Sequence, residues 1–290
     1  MDIIQAIIIG IVQGLTEFLP VSSSAHLIFA QNALGVESSL AFDVFLHLGS
    51  LIAVLWFFRA DIIRMIQAFL LSIGDIIQHR FKEGFYSDPY KRLVWYVIIA
   101  TIPVGLVGVL FESQVESLFA GALYVPAFFL FVTGTILYLS QRMNSGEVDL
   151  SNLSLKESIF MGLGQACAIL PGLSRSGTTI AAGLVIGLDK EFAAKFSFIL
   201  SIPAILGAFV VQLKDIGTIT DFNALAVLFG FLAALISGYL AIKWLLELIQ
   251  KRSLDIFAYY CWIVGIIVFM GSITHLFYIL FTANLFYFFS

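Results

Sequence analysis

Charged residues are the scarcest class in this sequence of 290 residues. Asp, Glu, Lys and Arg make up only 12%, whereas hydrophobic residues make up 60%, and the mean hydropathy is +1.02. These values exclude an ordinary soluble globular domain and predict a chain that crosses a membrane several times. The formal net charge of −4 provides no basic surface for nucleic acid, so we expect no nucleic-acid partner.

Cysteine is also scarce. The two cysteines, Cys167 and Cys261, lie inside apolar segments without the spacing of a zinc site. This position indicates packing residues rather than a disulfide or a metal site. The first residues, Met1 to Ile4, lack the basic region of a signal peptide, so we expect the first apolar stretch to remain in the mature protein.

Long apolar stretches dominate what is present. Six of them approach the length of about 20 residues that a spanning helix needs: residues 41–58, 93–111, 122–140, 194–212, 222–246 and 256–281. Two more apolar units, 3–34 and 158–188, are interrupted by Pro20 and Pro171, which favours re-entrant helical hairpins. Residues 60–78 mix charged and apolar residues at helical spacing, which is typical of an interfacial helix.

The two interrupted units resemble each other. They share a glycine, a glutamine, a proline and a serine in the same order: Gly10, Gln13, Pro20 and Ser23 recur as Gly162, Gln165, Pro171 and Ser174. We therefore predict a single all-α membrane domain over residues 1–290, built as an internal repeat. One copy covers about 1–140 and the other about 155–285, and six transmembrane helices accompany the two hairpins.

Basic residues are concentrated in alternate loops. Residues 59–92, 142–156 and 243–252 contain most of the Lys and Arg, whereas the connection near Glu112 has none and the one near Asp215 has only Lys214. The positive-inside rule therefore predicts that the three basic loops are cytoplasmic. In that orientation the first hairpin opens outward and the second opens to the cytoplasm. The repeat is then inverted, and the two polar breaks meet near the middle of the membrane.

The two breaks carry specific motifs. Gln13 to Glu17, leading into Pro20-Val-Ser-Ser-Ser-Ala-His26, and Pro171-Gly-Leu-Ser-Arg-Ser-Gly177 together resemble the undecaprenyl-diphosphate phosphatase family associated with bacitracin resistance. The resemblance covers essentially the whole chain. It implies hydrolysis of undecaprenyl (polyprenyl) diphosphate to the monophosphate and inorganic phosphate, which recycles the lipid carrier of cell-wall synthesis and confers bacitracin resistance.

The resemblance also implies a location and partners. We expect a multi-pass protein of the bacterial cytoplasmic (inner) membrane whose active site opens to the outer side. The expected partners are the polyprenyl diphosphate substrate and the lipid bilayer, and a homodimer stays open.

The polar side chains at the breaks suit a phosphorylated ligand. We expect Arg175 to clamp the diphosphate, because a guanidinium binds phosphate oxygens bidentately and stays charged. Its alternative role is an ion pair with a buried acid such as Glu17. The further phosphate-binding candidates are the hydroxyl residues and the glycine beside it, namely Ser174, Ser176, Gly177 and Thr179.

Glu17 is the leading candidate metal ligand. Mg²⁺ or Ca²⁺ commonly binds a diphosphate through one or two carboxylates and the substrate's own oxygens. Glu17 as a base on water is the open alternative. Gln13 lies one helical turn earlier, at a position where the resembled family has Glu or Gln, and it can coordinate a cation without neutralising its charge.

Ser23 and His26 complete the catalytic candidates. His26 can activate Ser23 or water, protonate a leaving oxygen, or act as the nucleophile itself. Ser23 is the preferred serine for a nucleophile or phosphate ligand, whereas Ser22 and Ser24 suit capping of the second half-helix. We expect His47, in the span after the first hairpin, to have a structural role.

A transporter or flippase of polyprenyl phosphate is the alternative function, because inverted repeats with broken helices are also a transporter architecture. The combination of Glu17, Ser23, His26 and Arg175 favours the enzyme, since transport does not require acid-base groups beside the phosphate.

Overall fold

The computed structural model describes residues 1–36, 40–119, 123–143, 146–216, 223–251 and 253–288. Within these ranges the chain forms twelve helices and no strand, which confirms the all-α class. In chain order they are α1 Ile3–Phe18, α2 Ser23–Leu34, α3 Leu40–Phe57, α4 Arg59–Ile77, α5 Phe81–Ser87, α6 Pro89–Phe119, α7 Tyr124–Ser140, α8 Leu155–Cys167, α9 Arg175–Val185, α10 Lys190–Ile216, α11 Ala224–Lys251 and α12 Asp255–Phe288.

Four helical segments in the described ranges are long and apolar enough to cross a membrane. They are Pro89–Phe111, Lys190–Gln212, Ala224–Lys251 and Asp255–Thr274. Helices α3 and α4 form a fifth candidate only if they count as one span, because the chain bends by 82° between them. Helix α7 is apolar but has 17 residues, fewer than the stretch predicted over 122–140. The protein is therefore a multi-pass helical membrane protein with four to five candidate spans in its described ranges.

The two interrupted units fold as helical hairpins with the same plan. Helices α1 and α2 are separated by residues 19–22, and α8 and α9 by residues 168–174. Both first helices begin with a capping box, formed by Asp2 with Gln5 in α1 and by Ser154 with Glu157 in α8. These reciprocal hydrogen bonds satisfy backbone N–H groups that the first turn of a helix leaves without partners.

The helix beginnings give the register between the two hairpins. The first helices begin at Ile3 and Leu155 and the second helices at Ser23 and Arg175, an offset of 152 residues in both pairs. This register pairs Ser23 with Arg175, whereas the motifs alone paired Ser23 with Ser174. The difference arises because the first hairpin has one residue more before its proline and the second has one more after it.

Each hairpin packs its first helix on a long helix from the other half of the chain. Helix α1 contacts α11, and helix α8 contacts α6. Small residues allow this close approach. A Cβ atom on Gly10 would collide with the carbonyl oxygen of Gly230, and one on Gly162 would collide with the carbonyl oxygen of Ala100.

Polar contacts define one end of the bundle, which we call the charged end. Three side-chain contacts join neighbouring segments of the chain there: Arg92 to the Ser151 carbonyl at 2.6 Å, Arg142 to Asp255 at 2.8 Å, and Gln250 to Glu191 at 2.9 Å. Helix α8 begins near this end and runs away from it beside α6. Helix α1 runs toward it beside α11, since Gly10 lies against Gly230 and Gly14 against Ser237. The two hairpins therefore enter the bundle from opposite ends.

Candidate active site

Glu17 is the centre of a polar network between the two hairpins. Its side chain is only 5% exposed. The Oε1 atom accepts a hydrogen bond from Arg175 Nη2 at 2.9 Å, and Oε2 accepts bonds from Ser23 Oγ at 2.7 Å and from Gln13 Nε2 at 3.0 Å. Residues from the first and second motifs thus bind the same carboxylate, so the structure brings Gln13, Glu17, Ser23 and Arg175 together.

Both second half-helices begin beside this carboxylate. Ser23 is the first residue of α2, and Arg175 is the first residue of α9. The preceding residues are the N-caps: Ser22 Oγ accepts from the Ala25 backbone N–H at 3.4 Å, and Ser174 Oγ accepts from that of Gly177 at 3.0 Å. Two helix N-termini therefore converge on Glu17, and their partial positive charge favours an anion there.

Reciprocal hydrogen bonds join the tips of the two hairpins. Ser176 Oγ donates to the carbonyl oxygen of Leu19 at 3.0 Å, and the Gly172 N–H donates to Ser24 Oγ at 3.3 Å. Ser24 and Ser176 are equivalent positions in the 152-residue register. Each hairpin therefore binds the other through its equivalent serine. These two bonds fix the position of Ser23 relative to Arg175.

Thr133 of α7 supports the second tip. Its hydroxyl accepts from the Ser174 N–H at 3.0 Å and donates to the Gly172 carbonyl at 3.1 Å. Gly172 has a φ of +96°, a conformation that residues with a Cβ rarely adopt, and a Cβ there would also collide with Pro126. Thr133 is not among the predicted site residues, because a threonine in an apolar stretch carries no local signal of such a partner.

A cavity of about 340 Å³ opens beside the network, within the range of small-molecule pockets, ~300–1,000 Å³. One wall is polar, formed by Glu17, Ser22, Ser23, Ser24, His47 and Arg175. The rest of the lining is largely apolar and includes Val44, Ala204, Ile205, Ala208 and Phe209. A phosphorylated lipid combines a polar group with an apolar chain, and the mixed lining offers contacts for both.

Arg175 has a further hydrogen-bond donor. Its Nη1 atom is buried and has no hydrogen-bond partner in the described part of the chain. A buried charged donor without a partner is costly. This N–H group is therefore available to donate to an oxygen of a bound anion while Nη2 remains on Glu17.

Gln13 provides the corresponding acceptor. Its Oε1 atom is buried and also lacks a partner among the described residues. The described part of the chain contains no cluster of three or more His, Cys, Asp or Glu side chains that could hold a metal ion. In this network Gln13 contacts Glu17 through Nε2 and not through Oε1, and Gln13 is not among the described residues that line the cavity. A cation held by oxygen atoms of Glu17 and Gln13, with its other oxygens from a diphosphate, therefore stays a prediction.

The other phosphate-binding candidates, Ser174, Ser176, Gly177 and Thr179, are not among the described residues that line this cavity. Ser174 caps α9 and Ser176 bonds to Leu19, as described above. The Gly177 N–H donates to the Ser174 cap. Thr179 is fully buried, donates to the Arg175 carbonyl at 2.8 Å and shares a hydrogen bond with Ser197 of α10. Their role in binding phosphate stays a prediction.

The two histidines near the site have different surroundings. His26 is not among the described residues that line the cavity, and its ring nitrogens lie 2.8 Å from the Ser22 carbonyl oxygen and 2.8 Å from the Tyr260 hydroxyl. His47, expected to be structural, lines the cavity with Nε2 at 3.9 Å from Glu17 Oε2. Its position in a predicted membrane span was the available signal, since ionisable residues there are commonly functional.

Comparisons with known proteins agree with these motifs. The family described as bacitracin resistance protein BacA matches residues 6–267, a range that contains both motifs. An undecaprenyl-diphosphatase of Methanosphaera stadtmanae is 48% identical over 275 residues, which cover 94% of this chain and 99% of that protein. The undecaprenyl-diphosphatases of Alkaliphilus metalliredigens and Korarchaeum cryptofilum are 41% identical over 277 residues and 40% identical over 266 residues. They cover 94% and 92% of this chain and 100% and 98% of their own lengths.

Proposed function

Since the chain belongs to the bacitracin resistance protein BacA family, we propose that it is an undecaprenyl-diphosphatase. It hydrolyses undecaprenyl diphosphate to the monophosphate and inorganic phosphate, which returns the lipid carrier to cell-wall synthesis and confers resistance to bacitracin. The observation that carries the proposal is the contact of Glu17 with both Ser23 and Arg175 at the polar wall of the cavity. No relative named above is a transporter, and no contact among the described residues favours transport.

Arg175 binds the diphosphate. Its Nη1 donates to phosphate oxygens, and the positive charge offsets the negative charge that spreads over these oxygens as the terminal phosphoryl group transfers. Because Nη2 is held by Glu17, the guanidinium is oriented before substrate arrives. Such orientation lowers the barrier without any cost of rearrangement during the reaction.

Glu17 acts as the base. The Ser23 hydroxyl already donates to Oε2 at 2.7 Å, so the carboxylate can take this proton as the hydroxyl attacks the terminal phosphorus. The bond from the phosphorus to the bridging oxygen then breaks, undecaprenyl monophosphate leaves, and water hydrolyses the phosphoserine. A water molecule activated by Glu17 is the alternative nucleophile, with the same bond broken.

The proposal includes a divalent cation, Mg²⁺ or Ca²⁺, with Glu17 and Gln13 as its protein ligands. The buried Gln13 Oε1, which has no partner in the described ranges, supports this assignment. When bound, the cation neutralises phosphate charge. Gln13 also holds Glu17 Oε2, so it orients the carboxylate in either case.

The membrane arrangement is part of the same proposal. Six spans and two re-entrant hairpins form an inverted repeat in the cytoplasmic membrane, and the active site opens outward. The cavity includes Ala204 to Gln212 of α10, the half of that helix that lies away from the charged end. The basic residues at the charged end favour the cytoplasmic side.

The decisive test is phosphate release from undecaprenyl diphosphate by the purified protein in detergent. It is measured with Mg²⁺, with Ca²⁺ and with chelator, for the wild type and for Arg175→Ala. We expect cation-dependent release by the wild type and a loss of at least ~10²-fold in kcat/KM for the variant. Arg59→Ala is the matched control, since this exposed arginine contacts only Trp56 in the described contacts and should keep full activity.

Two results would count against the proposal. Absence of phosphate release by folded wild type under every cation condition would remove the hydrolase function. Full activity in chelator would contradict only the part of the proposal that assigns a divalent cation, and the proposed roles of Glu17 as base and Arg175 as phosphate ligand would stand. Thermal unfolding in the same detergent shows whether each variant is folded.

The outward opening has its own test. Gln212→Cys places a thiol on the cavity wall, and Ser253→Cys places one at the charged end, both in a Cys167→Ala background because Cys167 is exposed. A membrane-impermeant maleimide added to intact cells should label position 212 and leave position 253 unlabelled until the cells are opened. The reverse pattern would place the opening on the cytoplasmic side.

A further inference from the structure

His26 has both ring nitrogens engaged. A carbonyl oxygen only accepts, so Nδ1, at 2.8 Å from the Ser22 carbonyl, carries the proton. In the neutral ring Nε2 is then the acceptor, and the Tyr260 hydroxyl at 2.8 Å donates to it. The two rings are stacked, with centroids 5.6 Å apart and planes inclined by 14°. Neither nitrogen is directed to the cavity in this arrangement.

Ser22, the residue that His26 holds, has an unusual backbone. Its φ of +69° lies in a region that residues with a side chain rarely adopt. Such a conformation persists only when its surroundings hold it. The equivalent N-cap in the second hairpin, Ser174, has an ordinary φ of −64° and is followed at the equivalent of His26 by Thr178. The strained cap and its histidine therefore occur together.

The strained cap determines where Ser23 points. Ser22 ends the hairpin tip and Ser23 begins α2, so the backbone of Ser22 sets the direction of the Ser23 hydroxyl toward Glu17. The His26 side chain and its backbone N–H, at 2.8 and 3.3 Å, both bind the Ser22 carbonyl. Removing the side-chain bond would allow Ser22 to relax and would turn Ser23 away from the carboxylate.

Tyr260 connects this cap to α12. The next residue, Cys261, also approaches the tip, with its sulfur 3.6 Å from the Pro20 carbonyl oxygen. Helix α12 thus contacts the first hairpin at two consecutive residues, Tyr260 on His26 of α2 and Cys261 on Pro20 of the tip. We propose that His26 and Tyr260 are positioning residues, which hold Ser22 in its strained conformation so that the Ser23 hydroxyl stays on Glu17. This inference rests on the phosphatase function, and it gives His26 no proton transfer with substrate.

Substitutions of His26 separate positioning from acid-base chemistry. In His26→Asn the side-chain amide nitrogen occupies the place of Nδ1 and can still donate to Ser22, whereas in His26→Gln it occupies the place of Nε2. None of Asn, Gln and Ala transfers a proton at neutral pH. We expect His26→Asn to keep kcat within about 10-fold of wild type, with an unchanged pH profile and KM, and His26→Gln and His26→Ala to lose about 100-fold. Equal inactivity of all three folded variants would overturn the proposal.

Tyr260→Phe provides the second test. It removes one hydroxyl and keeps the stacked ring, so we expect a 3- to 10-fold fall in kcat with KM unchanged. The effect should disappear in a His26→Asn background, which has no Nε2 acceptor. Tyr259→Phe is the matched control, because the Tyr259 ring packs on Tyr138 and Trp262. Wild-type activity in Tyr260→Phe, or an undiminished effect in the double variant, would contradict the inference.

A readout independent of activity separates this inference from the proposed function. ¹⁵N spectra of the detergent-solubilised protein report which imidazole nitrogen carries the proton. The Nδ1–H form at His26 in the wild type, with an Nε2 signal that shifts in Tyr260→Phe, is the expected result. The Nε2–H form would overturn the inference even in an active enzyme, whereas an inactive wild type with the Nδ1–H form would overturn only the phosphatase function.

Discussion

The two hairpins share a backbone plan and differ in chemistry. In the 152-residue register Ser23 corresponds to Arg175, and Glu17 corresponds to Ile169. The first hairpin therefore contributes a carboxylate and a hydroxyl, and the second contributes the guanidinium group of Arg175. The shared backbone plan brings two helix N-termini to one point. The sequence differences make that point suitable for binding phosphate through the guanidinium and for attack on it by the hydroxyl beside the carboxylate.

The glutamines show the same contrast. Gln13 and Gln165 are equivalent and both buried, yet Gln13 donates to Glu17 while neither polar atom of Gln165 has a partner among the described residues. Ile169 stands where the first hairpin has its carboxylate, which explains the difference. The second hairpin keeps the shape of the site without its acid.

The largest expected effect is that of Glu17→Gln, which removes the one carboxylate among the described residues of the network and keeps the size of the side chain. Arg175 then loses its ion-pair partner, and Ser23 loses the acceptor of its proton. We expect kcat/KM for phosphate release to fall by about 10³-fold, within the range for loss of a general base. Gln165→Glu, at the equivalent of Gln13 in the other hairpin, should not restore it.

A folded Glu17→Gln protein with activity near that of wild type would contradict this comparison. The carboxylate of the first hairpin and the guanidinium of the second would then not be needed together for catalysis. The measurement is steady-state phosphate release with thermal unfolding as the control for folding.

Ser23→Ala should have the next largest effect. If the hydroxyl attacks phosphorus, we expect a fall of about 10²-fold or more in kcat, since only the charge stabilisation by Arg175 remains. Ser23→Cys sharpens the test by retaining a nucleophile at the same atom position. Retention of most activity in a folded Ser23→Ala protein would assign the attack to water.

The close packing of the first helices predicts an effect on stability in both halves. Gly10→Ala and Gly162→Ala each place a Cβ against backbone of the other half, whereas the Cβ of Gly105→Ala would meet no atom within 4 Å. We expect the first two to lower stability by ~1–3 kcal/mol and Gly105→Ala to be neutral or stabilising. Thermal unfolding in detergent measures this. A neutral Gly162→Ala beside a destabilised Gly10→Ala would show that the two halves pack differently.

Much of this arrangement is predictable because its signals are local in the chain. Prolines within apolar runs indicate where helices break, so the interruptions near Pro20 and Pro171 follow from the sequence. The grouping of Glu17 with Arg175 follows from the scarcity of intramembrane charges, since each needs a partner. Helix α4, Arg59–Ile77, also agrees closely with the amphipathic segment over 60–78.

The rest depends on contacts between distant parts of the chain. Tyr260 is separated from His26 by 234 positions, and nothing in the Tyr-rich sequence of α12 indicates this pairing. The cavity position of His47 depends on how α3 packs beside α1. Matching the motifs also could not give the register of the hairpins. The two prolines are one position off the offset of 152 residues that relates the helix beginnings.

The smallest expected effect concerns the reciprocal serines. Ser24→Ala and Ser176→Ala each remove one hydrogen bond between the tips, to Gly172 and Leu19 respectively. A typical net hydrogen bond contributes ~0.5–1.5 kcal/mol, so we expect a loss of about 1 kcal/mol in stability and a fall of only a few-fold in kcat for each. Because the two bonds fix the same junction, the double variant should lose more activity than the product of the single effects. If the double variant loses only the product of the two single effects, the tips are held together independently of these bonds, by the contact of Arg175 with Glu17 and by Thr133. The equivalent positions of the two serines would then reflect the shared backbone plan of the hairpins alone.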